Sequence, residues 1–512
     1  MILPIFIIIP FLGGIICWSL DQYGIKISHY IALIFSSILF LLSFSLLFYD
    51  LTIFVSHSYE SCWNFEYEIP WMPRFGISFH LAADSLSILM LVLTSFLGIV
   101  SILCSWNKIK KKIGFFYLNL LWILSFSIGI FLSVDLFLFF FFWEIIIFPL
   151  YFSVILWGYK IDNKSTCLKR YSAANKFFVY SQLSGLILLF SILLLVYSCY
   201  MSTNVLSFNY DILKHVSLNL CMETYIMIGF FLAFSIKIPI VPFHSWLPDF
   251  HTYSPILGSL DISGILLKTA IYSLLRFNIV LFPHASANFS FAFMCLGVVT
   301  IFYSIFVAFS QTDIKRLIAY MSISHTGMSL IAIFSASQIA YQGVIIHLIS
   351  YAISTSALYC LVGQLFERTY TRDMNNMGGL WSKINWIPSF SLFFSIASLG
   401  IPGTGNFVGE FMIFLGAFSN NMLLVIISSF SLVFTALCAL IMIQRTYFGS
   451  CFQQDIIVNL KPVSFREIFI LILLLIILLL IGVFPSTILR ISEIPLNNIR
   501  TVFFNFISIA RL

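Results

Sequence analysis

The chain has 512 residues, 61% of them hydrophobic and only 9% charged, with a mean hydropathy of +1.04. No water-soluble domain hides that much apolar surface, so the solvent for most of the chain is lipid. The net charge of +6 does not point to nucleic acid, because the basic residues fall in short connections between apolar runs, as membrane topology requires.

Apolar runs of roughly 20 residues recur from end to end, each long enough to cross about 30 Å of hydrocarbon as a helix. They lack the apolar/polar alternation of a β-barrel. In chain order they predict helices over 2–20, 28–49, 82–106, 113–133, 134–158, 168–200, 222–247, 254–275, 289–310, 313–335, 339–366, 385–417, 421–448 and 465–490. The expected fold is an all-α polytopic membrane protein of about fourteen transmembrane helices, forming a single membrane domain over 1–512. The segment from Met1 to Leu20 has no basic start and is followed by further spans, so it reads as a helix rather than a signal peptide. The largest polar connection, Asp50 to His80, carries Trp63, Pro70 and Trp71 and reads as an ordered cap. The ten Cys are scattered singly from Cys17 to Cys451, with no C-x-x-C and no grouping with His. Iron–sulfur clusters, structural zinc and a disulfide framework are therefore not expected, and no metal or cofactor is assigned to this chain.

Numbering the connections alternately gives one side Lys26, the cluster Lys108, Lys110, Lys111 and Lys112, then Lys160, Lys164, Lys169, Arg170, Lys176, Lys315, Arg316, Arg368, Arg372, Lys383, Arg445, Lys461 and Arg466, which is 18 of the 26 basic residues. The other side holds Arg74, Lys214, Arg276, Arg490, Arg500 and Arg511. The positive-inside rule makes the first side cytoplasmic and puts both termini outside, and an odd helix count would scramble this asymmetry.

The remaining basic residues, Lys237 and Lys268, fall inside helices. An ionised side chain at a helix centre costs roughly 2.5–3.5 kcal/mol on insertion scales, so such a residue faces protein or water and usually has a use. Glu144 lies mid-helix in FFFFFWEIIIFPLYF; Lys237 precedes the helix-breaking Pro239 and Pro242; Lys268 follows Asp261 by two turns on one helix face. His325 is central in its helix, and Glu410 ends an interrupted segment, SLGIPGTGNFVGEF, broken at Pro402 and Gly403. Each alone is open to a plain reading as a buried ion pair or a satisfied core histidine, but five in five helices at similar depth point to proton transfer. Asp84, Asp135 and Asp261 are second-rank candidates nearer helix ends, with His244 and His251 beside the first break and His347 on an apolar face. The glycines of GTGNFVGE have the wrong spacing for a dinucleotide loop, and no βαβ unit surrounds them.

The two helix breaks fall in different halves of the chain, the sequence pointer to a repeated transporter fold. Glu144 precedes Lys237 by 93 residues and His325 precedes Glu410 by 85, which suggests two five-helix units, approximately 113–275 and 289–448. Five is odd, so the second copy enters from the opposite side and the repeats are inverted.

The runs KIPIVPFHSWLPDFH, GSLDISGILLKTAIYSLLRF, FSQTDIKRLIAYMSISHTGMSLIAI, GQLFERTYTRDMNNMGGLWSK and LGIPGTGNFVGEFM resemble the subunit M family of bacterial NADH–quinone oxidoreductase, respiratory complex I, whose mitochondrial counterpart is chain 4. The resemblance covers nearly the whole chain and is looser in the first hundred residues and the last fifty. It implies a fourteen-helix antiporter-like subunit in the proton-pumping membrane arm, in the bacterial inner membrane. It implies that Glu144 pairs with Lys237, that Lys268 is the central relay, that His325 continues the polar axis and that Glu410 is its terminal residue. The implied partners are the antiporter-like subunits L and N, lipid and protons. Flavin, iron–sulfur clusters and quinone would belong to other subunits, so the chain would serve NADH:quinone oxidoreductase without a redox centre of its own. Where the family has His, this chain has Tyr351, and a His stands one turn earlier at His347; either the titratable group has moved by that turn or Tyr351 with a water replaces it. The competing expectation is a subunit of an Mrp-type cation/proton antiporter or a membrane-bound hydrogenase, which these residues would serve as well.

Overall fold

In hydrocarbon an unpaired peptide group costs several kcal/mol, so a chain this apolar closes its backbone hydrogen bonds inside helices. The computed structural model describes residues 2–23, 25–56, 63–159, 164–449 and 462–510. Met1, Lys160, Cys451, Lys461 and Arg511, with the side chains of Lys26 and Lys164, lie outside the described residues. Among the described residues, 11 helices are long and apolar enough to cross a membrane, from Ile27–Asp50 to Phe465–Val483. Shorter apolar helices, Leu3–Ser19, Ile387–Ala397 and Gly405–Phe418, accompany them, as does the more polar Ile314–Ile333. The fold is that of an all-α, polytopic membrane protein.

The chain forms two compact units, the first made of Met1–Lys237, Ile265–Phe289 and Ile491–Leu512, the second of Ile238–Gly264 and Ser290–Arg490. In the first unit, Ser125 Oγ donates to the Ile7 carbonyl at 2.8 Å and Trp122 Nε1 to that of Phe11 at 3.3 Å, so Ile113–Leu132 is tied to Leu3–Ser19 by polar side chains within an apolar contact. The second unit is built on Gln338–Thr369, whose middle turns are buried throughout.

Several elements depart from the sequence expectation. The connection read as a cap contains an antiparallel strand pair, Phe65–Met72 with Ile77–Ala83, in which Glu68 faces His80. Aromatic and β-branched residues favour strand here, and the register shifts at Pro70, which has no N–H for the ladder. The pair turns at Gly76, whose φ of +68° suits glycine and whose missing side chain leaves room for the Leu206 carbonyl. This moves the start of the next helix from 82 to Ser85. The last predicted helix, 465–490, is two: Phe465–Val483 and a polar-faced Ser486–Ala510 that hydropathy alone passes over.

The helix starting at Leu220 stops at Lys237; a 3-10 turn over Phe243–Ser245 follows Pro242, and the helix resumes at Trp246. The second break lies between Ile387–Ala397 and Gly405–Phe418, where Gly400 and Gly403 take φ of +72° and +96°. Lys268 occupies a third irregular helix. Ile256–Leu281 is buried along its whole length, and the α segment Leu267–Ser273 that holds Lys268 is flanked by π turns at Ile262–Leu266 and Leu274–Asn278.

Candidate functional site

In the first unit, Glu144 sits two residues before the bend at Ile146 that joins Leu136–Ile145 to Ile147–Trp157. Gln182 Nε2 donates to Glu144 Oε2 at 2.7 Å. The other oxygen lies against Gly185, where a methyl group would overlap it. Lys237 is buried, and its ammonium donates to the Trp143 carbonyl at 2.7 Å while standing 3.6 Å from the centre of the Trp143 ring. The lysine thus reaches the residue next to Glu144, holds its charge on a carbonyl and a π face, and feels the carboxylate through space. Its place in the last turn of Leu220–Lys237 adds the negative end of the helix dipole. Lys268 is buried in the same unit, on a different helix.

Asp84 and Asp135 have structural occupations. Asp84 caps Ser85–Ser105 by accepting from Ser87 N, and pairs with Arg276 Nη1 at 2.5 Å. That guanidinium in turn lies 4.1 Å from the Trp63 ring centre. Asp135 caps Leu136–Ile145 and accepts from the backbone N–H groups of Phe137, Leu138 and Ser78. Both carboxylates stand at helix starts, apart from the Glu144–Lys237 neighbourhood.

In the second unit, helices Ile314–Ile333, Gln338–Thr369 and Gly405–Phe418 bring His325, His347 and Glu410 together. His347 Nε2 is 3.3 Å from His325 Nδ1, and Glu410 Oε1 is 3.5 Å from His325 Nδ1 and 3.9 Å from His347 Nε2. Tyr351 shares the cluster through its ring, 4.2 Å from that of His325, but its hydroxyl donates to Ser322 Oγ at 3.2 Å. Of the alternatives at this turn, His347 is the one whose ring nitrogen reaches both His325 and Glu410. The contact depends on a close helix crossing: a Cβ at Gly409 would stand 2.7 Å from the His347 backbone.

Asp261 is buried at the end of Ile256–Asp261. His244 is buried beside the Tyr303 ring at 4.9 Å, and His251 stacks on Tyr359 at 4.7 Å with neither ring nitrogen hydrogen-bonded. Lys315, counted from the sequence among the loop charges, is instead buried, donating to the Ser254 carbonyl at 2.9 Å and to Ser259 Oγ at 3.4 Å. Its signal was available: Asp313 caps the helix, so Lys315 falls inside its first turn. Gln182 and Ser322 were missed because uncharged polar residues carry no anomaly in an apolar run.

Residues 133–435 match the family described as NADH:quinone oxidoreductase/Mrp antiporter, TM. The NADH-quinone oxidoreductase subunit M of Buchnera aphidicola subsp. Baizongia pistaciae is 54% identical over 508 residues, covering 99% of this chain and 100% of its own length. That of Escherichia coli K12 is 49% identical over 514 residues, covering 100% of both. The chain belongs to the subunit M family of NADH-quinone oxidoreductase. The subunit M resemblance read from the central motifs therefore holds over the whole length, including the first hundred residues. Solved structures show the same fold: a chain of respiratory complex I from Thermus thermophilus superimposes with a TM-score of 0.84 at 24% identity, covering 98% of this chain and 100% of that one. A chain of the Mrp complex from Dietzia sp. gives 0.78 at 17% identity, with 99% of each covered. This chain thus shares its fold with chains of both complexes.

Proposed function

We propose that this chain is the antiporter-like membrane-arm subunit that moves protons in NADH–quinone oxidoreductase, driven by quinone reduction elsewhere in the assembly. The observation that carries this reading is the placing of a buried lysine, Lys237, on the carbonyl next to Glu144, at the end of a broken helix. An ammonium in that position exchanges its proton when its neighbouring carboxylate is paired or released, because an opposite charge nearby favours the charged form and burial opposes it. The proposed order of carriers is Glu144, Lys237, Lys268, His325 and Glu410, with His347 rather than Tyr351 joining His325 to Glu410. Each charge moved against 100 mV requires about 2.3 kcal/mol, which the coupling must supply.

The same reading gives two inverted repeats, both termini on the outer side of the bacterial inner membrane, and subunits L and N as neighbours. It leaves flavin, iron–sulfur clusters and quinone to other subunits and gives this chain no redox centre. The test is the purified complex in proteoliposomes carrying Glu144→Ala or Lys237→Ala: proton pumping should fall while the complex still assembles, and undiminished pumping in both variants would overturn the reading. The fold shared with the Mrp complex chain favours a second reading, cation/proton exchange. Sodium-driven proton movement in membrane vesicles without NADH would favour that alternative.

A further inference from the structure

No metal-ligand spacing is visible along the chain, yet three helices each deliver one donor atom to a single point. His325 Nδ1, His347 Nε2 and Glu410 Oε1 form a triangle with sides of 3.3, 3.5 and 3.9 Å. A point equidistant from the corners of that triangle lies about 2.1 Å from each, the bond length of zinc to imidazole nitrogen and close to that for carboxylate oxygen. All three side chains are buried, at 1%, 2% and 3% exposure.

The geometry points to a binding site for one divalent transition-metal cation of the zinc class, held by His325, His347 and Glu410. Two imidazoles and a carboxylate, with a fourth position open to water, are a known zinc donor set. Calcium and magnesium prefer all-oxygen shells of higher coordination number, and the donor set has no thiolate to select copper(I). The site is built into the helix crossing. Gly409 lets its helix approach the His347 backbone, and Gly400 leaves the space that Glu410 Oε2 occupies. His347 completes the set: Tyr351, one turn on, turns its hydroxyl to Ser322.

Binding uses the same lone pairs that a proton uses, so ligands must shed their protons and a held cation excludes proton transfer through them. That consequence rests on the proton route proposed above; the binding itself rests on the triangle alone.

The test uses the purified complex, stripped with a chelator and then titrated with Zn²⁺. The wild-type complex should retain one more equivalent of zinc than His347→Gln. Competition with a chelator should show zinc held at least roughly tenfold more tightly by the wild-type complex than by the variant, as loss of a ligand weakens a site by at least the 10–100-fold typical of lost outer-shell support. Equal zinc content in the two complexes overturns the site. Zinc that fills the site of the wild-type complex without slowing its pumping leaves the site standing and overturns the proton route through it. X-ray absorption at the zinc edge of the wild-type complex provides a check that needs no variant: a tightly held zinc with imidazole in its first shell supports the site, and its absence refutes it.

Discussion

The two compact units hold their ionisable clusters by different means. In the first, one ammonium, that of Lys237, rests on a carbonyl and an indole face beside Glu144; in the second, two imidazoles face Glu410. A lysine gains and loses its proton at one atom and accepts no hydrogen bond while charged, whereas an imidazole has two nitrogens and can take a proton on one side and release it from the other. The first arrangement loads and unloads a proton at one fixed atom, and the second offers separate nitrogens through which a proton passes. What the units share is a carboxylate seated against a glycine: Glu144 on Gly185 and Glu410 on Gly400.

The strongest way to break this contrast is Lys237→Arg. A guanidinium keeps the charge and the stacking on Trp143 but does not release its proton at physiological pH. If the first unit exchanges protons, pumping by the reconstituted complex should drop at least roughly tenfold, a change of about 1.4 kcal/mol or more in the limiting step; if it needs only a fixed charge, pumping should persist. Arg276→Met tests the opposite kind of buried charge. It leaves Asp84 without its 2.5 Å partner, a loss of about 3–5 kcal/mol for a buried pair, and should lower the amount of assembled complex on native gels. Gly185→Ala forces the Glu144 carboxylate away from Gln182 and should reduce pumping several-fold, since a charged hydrogen bond of about 1.5–3 kcal/mol is disturbed. The smallest effect expected is that of Tyr351→Phe, which removes one hydroxyl bond to Ser322 worth about 1 kcal/mol. It should shift thermal stability slightly and leave pumping within about twofold of wild type. A larger fall would return the relay to Tyr351.

The sequence made Glu144, Lys237, Lys268, His325 and Glu410 legible because a charge inside a lipid-length apolar run is an energetic anomaly. The breaks at Pro239, Pro242, Pro402 and Gly403 were legible for a similar reason, since proline and glycine punctuate helices locally. Lys315 was legible only through the Asp313 cap, since a basic residue two positions into a helix otherwise looks like any cytoplasmic loop charge. The strand pair near Glu68 and His80 was invisible because its pairing is set across a turn rather than by a run. The choice between His347 and Tyr351 stayed open for a geometric reason: both lie on one helix face, and only the approach of Gly405–Phe418 decides which of them Glu410 meets.

The wide turns on either side of Lys268 bear on how this helix tolerates a change in length. A π turn accommodates one residue more than the α turn it replaces, so Ile262–Leu266 and Leu274–Asn278 each hold a surplus residue. Removing one there, as in a deletion of Ile265, should close the turn to ordinary α geometry and leave Lys268 facing as before. Removing Thr269 has no slack to draw on inside the tight stretch Leu267–Ser273 and turns the residues between it and the next π turn by roughly 100° against Lys268. Pumping per assembled complex should survive the first deletion far better than the second. The aim of this lysine is thereby insulated from the loss of a residue at either π turn, a deletion tolerance written into the backbone.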